Sequence, residues 1–187
     1  MSRMAVIVSD MLNDFVTGAL KTDRALKIVE PIKKLAEAAR KHGVPVIYSN
    51  DAHLNIDFEV VEKWGNHAIK GTPGAQVIPE LVPIKNDFIV EKRVYSGFYE
   101  TGLDSLLRSL YNGIGVETVI LVGVHTHICI MHTAASAFYR GYKIVVPSDG
   151  VEAFTRKDQE EGLKYLKDIY SAEIKTVDEI VKEFEKN

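Results

Sequence analysis

Short runs of apolar, largely β-branched residues alternate along this chain with longer segments in which apolar residues recur every three to four positions. The short runs are typical of buried parallel strands, and the longer segments are typical of amphipathic helices. We predict strands at residues 4–9, 45–49, 87–90, 118–122, 143–146 and 173–175, and helices at residues 24–42, 103–111, 127–140, 158–169 and 177–185. This alternation predicts a three-layer α/β fold, with six parallel strands in one sheet and helices on both faces.

The stretch of residues 50–83 breaks the alternation, because it is long, irregular and rich in glycine and proline. It contains two of the six histidines, His53 and His67. Long loops in compact domains are often functional. The rest of the chain has no linker, repeat or low-complexity tract, so we expect residues 1–187 to form a single domain.

Composition narrows the choice of partners and compartment. The net charge is −3, which gives no basic excess to attract nucleic acid or an anionic membrane surface. A single cysteine excludes an internal disulfide. The apolar run at the N-terminus is about five residues long, too short for a signal peptide or a membrane span. We therefore expect a cytoplasmic protein that binds neither nucleic acid nor membranes.

Chemically informative residues follow four of the predicted strands. Asp10 ends the first, Asp51 and His53 follow the second, Lys92 ends the third, and residues 123–129 follow the fourth and open a helix. Ligands bind outside the carboxyl ends of strands in open parallel sheets, so these residues are the candidates for a functional site.

Cys129 lies at the start of a predicted helix, where free N–H groups and the helix dipole stabilise a thiolate. Asp10 can take the proton of a thiol and later return it to a leaving amine, and Lys92 can lower the thiol pKa. Each residue also has a structural interpretation: Cys129 as a buried inert thiol, Asp10 as a turn cap and Lys92 as a surface cation.

Three separated motifs, in the right order over nearly the whole chain, resemble those of the isochorismatase-like cysteine hydrolases, a superfamily that includes nicotinamidases and N-carbamoylsarcosine amidases. The matching residues are Asp10 with Asp14-Phe15, Lys92 before residues 95–98 (YSGF), and residues 123–129 (GVHTHIC) followed by Thr133-Ala134. The resemblance implies a catalytic triad of Asp10, Lys92 and Cys129 on a six-stranded, Rossmann-like parallel sheet. It also implies a cis peptide bond between Val124 and His125, with the backbone N–H groups of His125 and Cys129 forming an oxyanion hole.

The same resemblance implies a divalent metal ion, with zinc as the expected metal, held by Asp51, His53 and His67. The surroundings of these ligands depart from the nicotinamidase pattern. Asp-Trp-His-Pro is replaced by residues 51–54 (DAHL), Trp-Pro-x-His-Cys by residues 64–68 (WGNHA), and a glutamine by Leu12. The metal is therefore a firmer expectation than nicotinamide as the substrate.

Aromatic residues within the motifs are candidates for the wall of a substrate pocket, namely Phe15, Trp64, Phe98 and Tyr99. Other histidines leave alternatives open. His125 or His127 could orient a substrate, or could form a Cys–His dyad with Cys129 that would replace the triad. His132 is expected to pack beneath Cys129, and His42 to place a favourable charge at a helix end.

These observations predict an amidohydrolase that cleaves the C–N bond of a small amide through a thioester. Nicotinamide to nicotinate is the first choice, and an N-carbamoyl or ureido amide the second; isochorismate fits less well, because the enzymes that cleave it lack the cysteine. Two rival interpretations are a non-catalytic binding module and a metal hydrolase in which Cys129 is a bystander. The resemblance also suggests a homo-oligomer, either a dimer or a tetramer.

Overall fold

A seven-stranded parallel sheet forms the centre of the molecule in a computed structural model that describes residues 2–186. The strands are β1 (Met4–Ser9), β2 (Val46–Asp51), β3 (Phe88–Lys92), β4 (Thr118–Val124), β5 (Lys143–Pro147), β6 (Val151–Glu152) and β7 (Glu173–Lys175). Their order across the sheet is β3-β2-β1-β4-β5-β7, and the short β6 pairs with the end of β4. The predicted parallel sheet is thus confirmed, with β6 added to the six expected strands.

Helices cover both faces of this sheet. They are α1 (Asn13–Val16), α2 (Val29–Lys41), α3 (Leu103–Ser109), α4 (Met131–Tyr139), α5 (Arg156–Tyr170) and α6 (Val177–Phe184). The alternation of side chains along β1 explains the two layers: Val6 and Val8 join the core that includes α2 and α6, whereas Ala5 and Ile7 join the core on the other face. In the part of the chain that the structure describes, no helix is long and apolar enough to cross a membrane.

Two of the predicted helices begin differently from the expectation. A 3₁₀ turn (Ala25–Ile28) precedes α2, and a π-helical turn (Thr126–Ile130) precedes α4. Pro31 lies in the first turn of α2, where its missing N–H removes no hydrogen bond. The π-helical turn carries Cys129, so the candidate nucleophile lies on the irregular turn that leads into the helix.

Strands β2 and β3 also extend two residues further than predicted, to Asp51 and Lys92, which are paired in the parallel register. The apolar pattern ends before these polar residues, while the backbone ladder continues through them. As a result both charged side chains are fixed by sheet geometry at the carboxyl edge.

The long connection between β2 and β3 crosses this same edge. It contains three short helical turns, Val60–Trp64, Pro73–Ala75 and Pro79–Leu81. Backbone hydrogen bonds join it to the turn after β1, from Asn13 N–H to the Gln76 carbonyl (2.9 Å) and from Ile78 N–H to the Met11 carbonyl (3.0 Å). The loop is thereby held over the ends of β1 and β2.

Candidate active site

The site begins where β1 and β4 meet at the carboxyl edge. Ser9 pairs with Gly123 in the register, and a Cβ atom on Gly123 would lie 2.0 Å from the Ser9 carbonyl oxygen. Gly123 also has a φ of 112°, so glycine is required there for two reasons. This close approach places Asp10, the residue after Ser9, beside the segment that leads to Cys129.

Four buried groups converge at this point. The Lys92 Nζ atom lies 2.9 Å from Asp10 Oδ2, 2.5 Å from Asp51 Oδ1 and 3.7 Å from Cys129 Sγ. The backbone N–H of Asp51 donates to Asp10 Oδ1 at 2.8 Å. The structure therefore brings Asp10, Lys92 and Cys129 together, and it adds Asp51 as a second carboxylate on the same ammonium group.

The charged groups in this cluster shift one another's pKa values. Burial and repulsion from Asp51 raise the pKa of Asp10, against the attraction of Lys92. Burial would also raise the pKa of Asp51, but the attraction of Lys92 and the nearby His53 lower it. Burial would lower the pKa of Lys92, yet Asp10 and Asp51 raise it well above its usual value. The ammonium stays charged, and Asp10 is the more basic of the two carboxylates.

Cys129 differs from the expectation of a stabilised thiolate. Burial raises the pKa of its thiol well above the usual value, because the opposing attraction of Lys92 is too small to compensate. The resting group is a neutral thiol only 5% exposed. Its proton must therefore leave at the time of attack, and Asp10 is the carboxylate within hydrogen-bonding reach.

The segment before Cys129 has the backbone geometry that the resemblance implies. The peptide bond between Val124 and His125 is cis. The N–H groups of Ile128 and Ile130 both donate to the His125 carbonyl, at 2.9 and 3.3 Å. These bonds close the turn around Cys129.

A second cluster, suited to a metal ion, adjoins the first. Asp51, His53 and His67 place one ligand atom each within 4.8 Å of one another. The Nδ1 atom of His53 lies 3.3 Å from Asp57 Oδ2, and that of His67 lies 2.8 Å from the Gly65 carbonyl oxygen. These contacts engage the Nδ1 atom of each ring, which leaves both Nε2 atoms as the candidate ligand atoms.

The donor set fits a divalent ion. The Nε2 atom of His53 is buried, has no hydrogen-bond partner among the described residues and lies 3.5 Å from Asp51 Oδ2. A carboxylate and two imidazoles are ligands that zinc accepts, with positions left open. Asp57, which contacts the His53 ring, also pairs with Arg93; neither residue lies in a recognisable motif, so neither was predicted.

A narrow cavity leads from the surface to Cys129. The centre of a water-sized sphere can occupy only about 20 Å³ of this cavity, which is room for one or two water molecules. Its walls are Phe15, Leu20, Asp51, Glu59, Trp64, His67, Tyr95, His125, Ile128, Cys129 and Phe154. A substrate must therefore move part of the wall as it enters.

The structure brings only two of the four expected aromatic residues to this cavity. Phe15 and Trp64 line it. Phe98 is buried in the core against Tyr142, with ring centroids 5.9 Å apart. Tyr99 is 57% exposed and faces a different, open cavity. The turn at residues 95–99 directs these two side chains away from Cys129.

Five cavity residues were not among the site residues predicted from the sequence, namely Leu20, Glu59, Tyr95, Ile128 and Phe154. Tyr95 accepts a hydrogen bond from Trp64 Nε1 at 3.0 Å. Burial and the nearby Asp51 raise the pKa of Glu59 to about 7. Phe154 follows β6, so the rule of strand ends would have found it had that two-residue strand been predicted.

The remaining histidines do not pair with the thiol. Both ring nitrogens of His125 and the Nδ1 atom of His127 are buried without a hydrogen-bond partner among residues 2–186, so His125 forms no dyad with Cys129. His132 is exposed, and its Nδ1 contacts the Ile128 carbonyl at 2.8 Å. His42 is exposed at the end of α2.

Known proteins share this fold along most of their length. The model of the isochorismatase domain matches residues 4–179. An N-carbamoylsarcosine amidase from Thermoplasma acidophilum is 42% identical with a TM-score of 0.86, covering 95% of this chain and 98% of its own. The nicotinamidase PncA from Bacillus subtilis is 30% identical with a TM-score of 0.86, covering 92% and 99%.

A third solved structure is a pyrazinamidase of Pyrococcus horikoshii in complex with zinc, which is 29% identical with a TM-score of 0.84 and covers 93% of this chain and 99% of its own. The match to the family model spans nearly the whole sheet and both clusters at its carboxyl edge. This chain belongs to the isochorismatase family of hydrolases.

Proposed function

We propose that this protein is a cysteine amidohydrolase, acting within a single domain, that cleaves the C–N bond of a small uncharged amide. The observation that carries the proposal is the convergence of Asp10 and Cys129 on the Lys92 ammonium group, at 2.9 and 3.7 Å. A thiol in the wall of a cavity, with a basic carboxylate and a fixed cation beside it, provides the groups that thioester chemistry requires.

In the first half of the reaction, Cys129 attacks the carbonyl carbon while its proton passes to Asp10. The raised pKa of Asp10, which follows from burial and the nearby Asp51, makes this carboxylate a better proton acceptor. Lys92 stabilises the negative charge on sulfur as the S–H bond breaks. The backbone N–H groups of His125 and Cys129 would hold the oxyanion of the tetrahedral intermediate.

In the second half, Asp10 returns its proton to the leaving nitrogen, so that ammonia departs and a thioester remains. Water then attacks the thioester with Asp10 as the base, which releases the acid and restores the thiol. A divalent ion held by Asp51, His53 and His67 would supply a Lewis-acid centre that orients the substrate. The zinc complex of the Pyrococcus horikoshii pyrazinamidase supports this choice of cofactor.

Nicotinamide, hydrolysed to nicotinate, is the substrate that we favour. Phe15, Trp64 and Phe154 give the cavity flat aromatic walls. Among the described residues that line it, none is a lysine or an arginine, while Asp51 and Glu59 are acidic. An anionic substrate would therefore be desolvated without a side-chain counter-charge, and an uncharged ring would not.

N-carbamoylsarcosine is the second candidate, because the amidase named for it is 42% identical, the highest identity among the comparisons described above. This substrate carries a carboxylate. It would therefore need the charge of a bound ion in place of a basic side chain, so its hydrolysis should depend fully on metal.

The test is ammonia release from nicotinamide, pyrazinamide, N-carbamoylsarcosine and ureido acids, with and without a chelator. We expect turnover of the flat amides and loss of it in Cys129→Ala. Ammonia release from none of these amides by the metal-loaded protein would contradict the proposal and favour a binding module. Turnover that survives Cys129→Ala would favour the metal hydrolase.

A further inference from the structure

The His125 side chain is buried at the wall of the cavity without a role in the chemistry described above. It is 3% exposed, and neither ring nitrogen has a hydrogen-bond partner among the described residues. Burying a polar group without a hydrogen bond is unfavourable, and native proteins rarely tolerate it without a ligand or water. Two such atoms on one ring that lines the cavity indicate a group that bonds to what enters the cavity.

Packing holds the imidazole in one orientation. Its face stacks on Phe154, with ring centroids 3.9 Å apart and planes inclined by 28°. The ring of Phe15 meets it edge to face at 6.1 Å and 84°. The same Phe15 ring contacts His67, a residue of the metal cluster, with ring centroids 5.7 Å apart.

The imidazole is neutral at physiological pH, because burial lowers the pKa of His125 to about 3, with repulsion from His127 adding to the effect. A neutral imidazole has one N–H donor and one nitrogen acceptor. It can therefore bond to an uncharged polar atom, but it brings no positive charge to a carboxylate.

We infer that the His125 imidazole hydrogen-bonds a polar group of the substrate other than the scissile amide, and so selects uncharged amides that carry such a group. The inference rests on the proposed function, since it concerns the same cavity. It makes His125 a specificity residue whose side chain acts on substrate choice, while Cys129 and Asp10 act on the bond that breaks.

The test compares three flat amides that differ in ring nitrogens: benzamide with none, nicotinamide with one and pyrazinamide with two. The variants are His125→Phe, which keeps a ring to stack on Phe154, and His125→Asn, which keeps an amide donor and acceptor. His42→Phe, the same substitution at an exposed helix end, is the control. Any contact between a ring nitrogen and a metal ion is made by the wild type and by the variants alike. Its contribution therefore cancels in the ratio of variant to wild-type kcat/KM, and this ratio is compared between each amide and benzamide.

We expect His125→Phe to lower kcat/KM for nicotinamide or pyrazinamide, mainly through KM, by a factor at least about tenfold larger than the factor by which it lowers kcat/KM for benzamide. His125→Asn should recover part of the loss, and His42→Phe should match the wild type. An equal loss for all three amides, a loss confined to kcat, or no loss would overturn the inference.

A binding measurement judges the inference separately from turnover. In Cys129→Ala with ¹⁵N-labelled histidine and tryptophan, the His125 ring resonances, identified by their absence when His125→Phe is added to the same variant, should shift when nicotinamide or pyrazinamide is added. Such a shift, together with no ammonia release by the wild-type protein, would contradict the proposed function alone. A shift of the Trp64 indole signal without one at His125 overturns this inference alone, and no shift with any of the amides overturns both.

Discussion

At the scale of single residues, the resting state of Cys129 has a measurable consequence. Burial raises the pKa of the thiol, so the thiol stays protonated at neutral pH and the thiolate fraction grows only at higher pH. We therefore expect the rate of alkylation by iodoacetamide to rise about tenfold per pH unit from pH 7 to beyond the usual thiol pKa of about 8.5. The alkylation rate of glutathione, measured in parallel, should level off at a lower pH. A rate that is already constant at pH 7 would contradict the neutral thiol.

The division of labour between thiol and metal is also tested at single residues. Cys129→Ala should abolish turnover and leave metal content intact, since the nucleophile is removed. Asp10→Asn should also abolish turnover and leave metal content intact, because an amide cannot accept and return the proton. His53→Ala should lose metal and mainly raise KM. If Cys129→Ala keeps most activity while His53→Ala loses all of it, a metal-bound water is the nucleophile.

At the scale of elements, the contact between β1 and β4 depends on one glycine. Gly123→Ala would bring a Cβ atom to 2.0 Å from the Ser9 carbonyl oxygen in a backbone with φ of 112°. We expect a loss of more than about 3 kcal/mol in the free energy of unfolding by urea, or failure to fold. Gly102→Ala, with nothing within 4 Å of the added atom, is the control and should change it by less than about 1 kcal/mol.

The elements also show what the sequence could and could not predict. The apolar runs predicted the sheet, both ends of β1 and the start of β4, since burial on both faces leaves a clear pattern. The pairing of β2 and β3 runs two residues beyond the predicted strands, through Asp51 and Lys92, where charged residues interrupt that pattern while the ladder continues. The strand β6 has only two residues and carries no periodicity, so Phe154 was missed with it.

The sequence also predicted some features of the candidate site and missed others. Asp10, Lys92 and Cys129 were found because they stand at strand ends within motifs. The direction of a side chain, by contrast, depends on turn geometry, which is why Tyr95 and not Phe98 or Tyr99 reaches the cavity. The neutral state of Cys129 depends on burial that a sequence does not reveal.

At the scale of the whole molecule, a metal ion should contribute to stability. Asp51 belongs to β2, while His53 and His67 belong to the loop that crosses the carboxyl edge, so an ion would join the loop to the sheet. Free zinc at about one hundred times its Kd should raise the free energy of unfolding by about 2.7 kcal/mol. Calorimetry with zinc and with chelator measures this as a shift in Tm. His67→Ala, which lacks one ligand, should show little shift, and an equal shift in that variant would contradict the site.

The cavity wall contains the one tryptophan of the chain, Trp64. All indole fluorescence of the protein therefore comes from a single emitter that donates a hydrogen bond to Tyr95 and packs near Phe154. Any ligand that moves this wall must alter the emission spectrum, without a label or a coupled assay. Stopped-flow fluorescence of Cys129→Ala would then resolve entry as a time course, and an observed rate that falls with rising amide concentration would show that the wall opens before the amide binds.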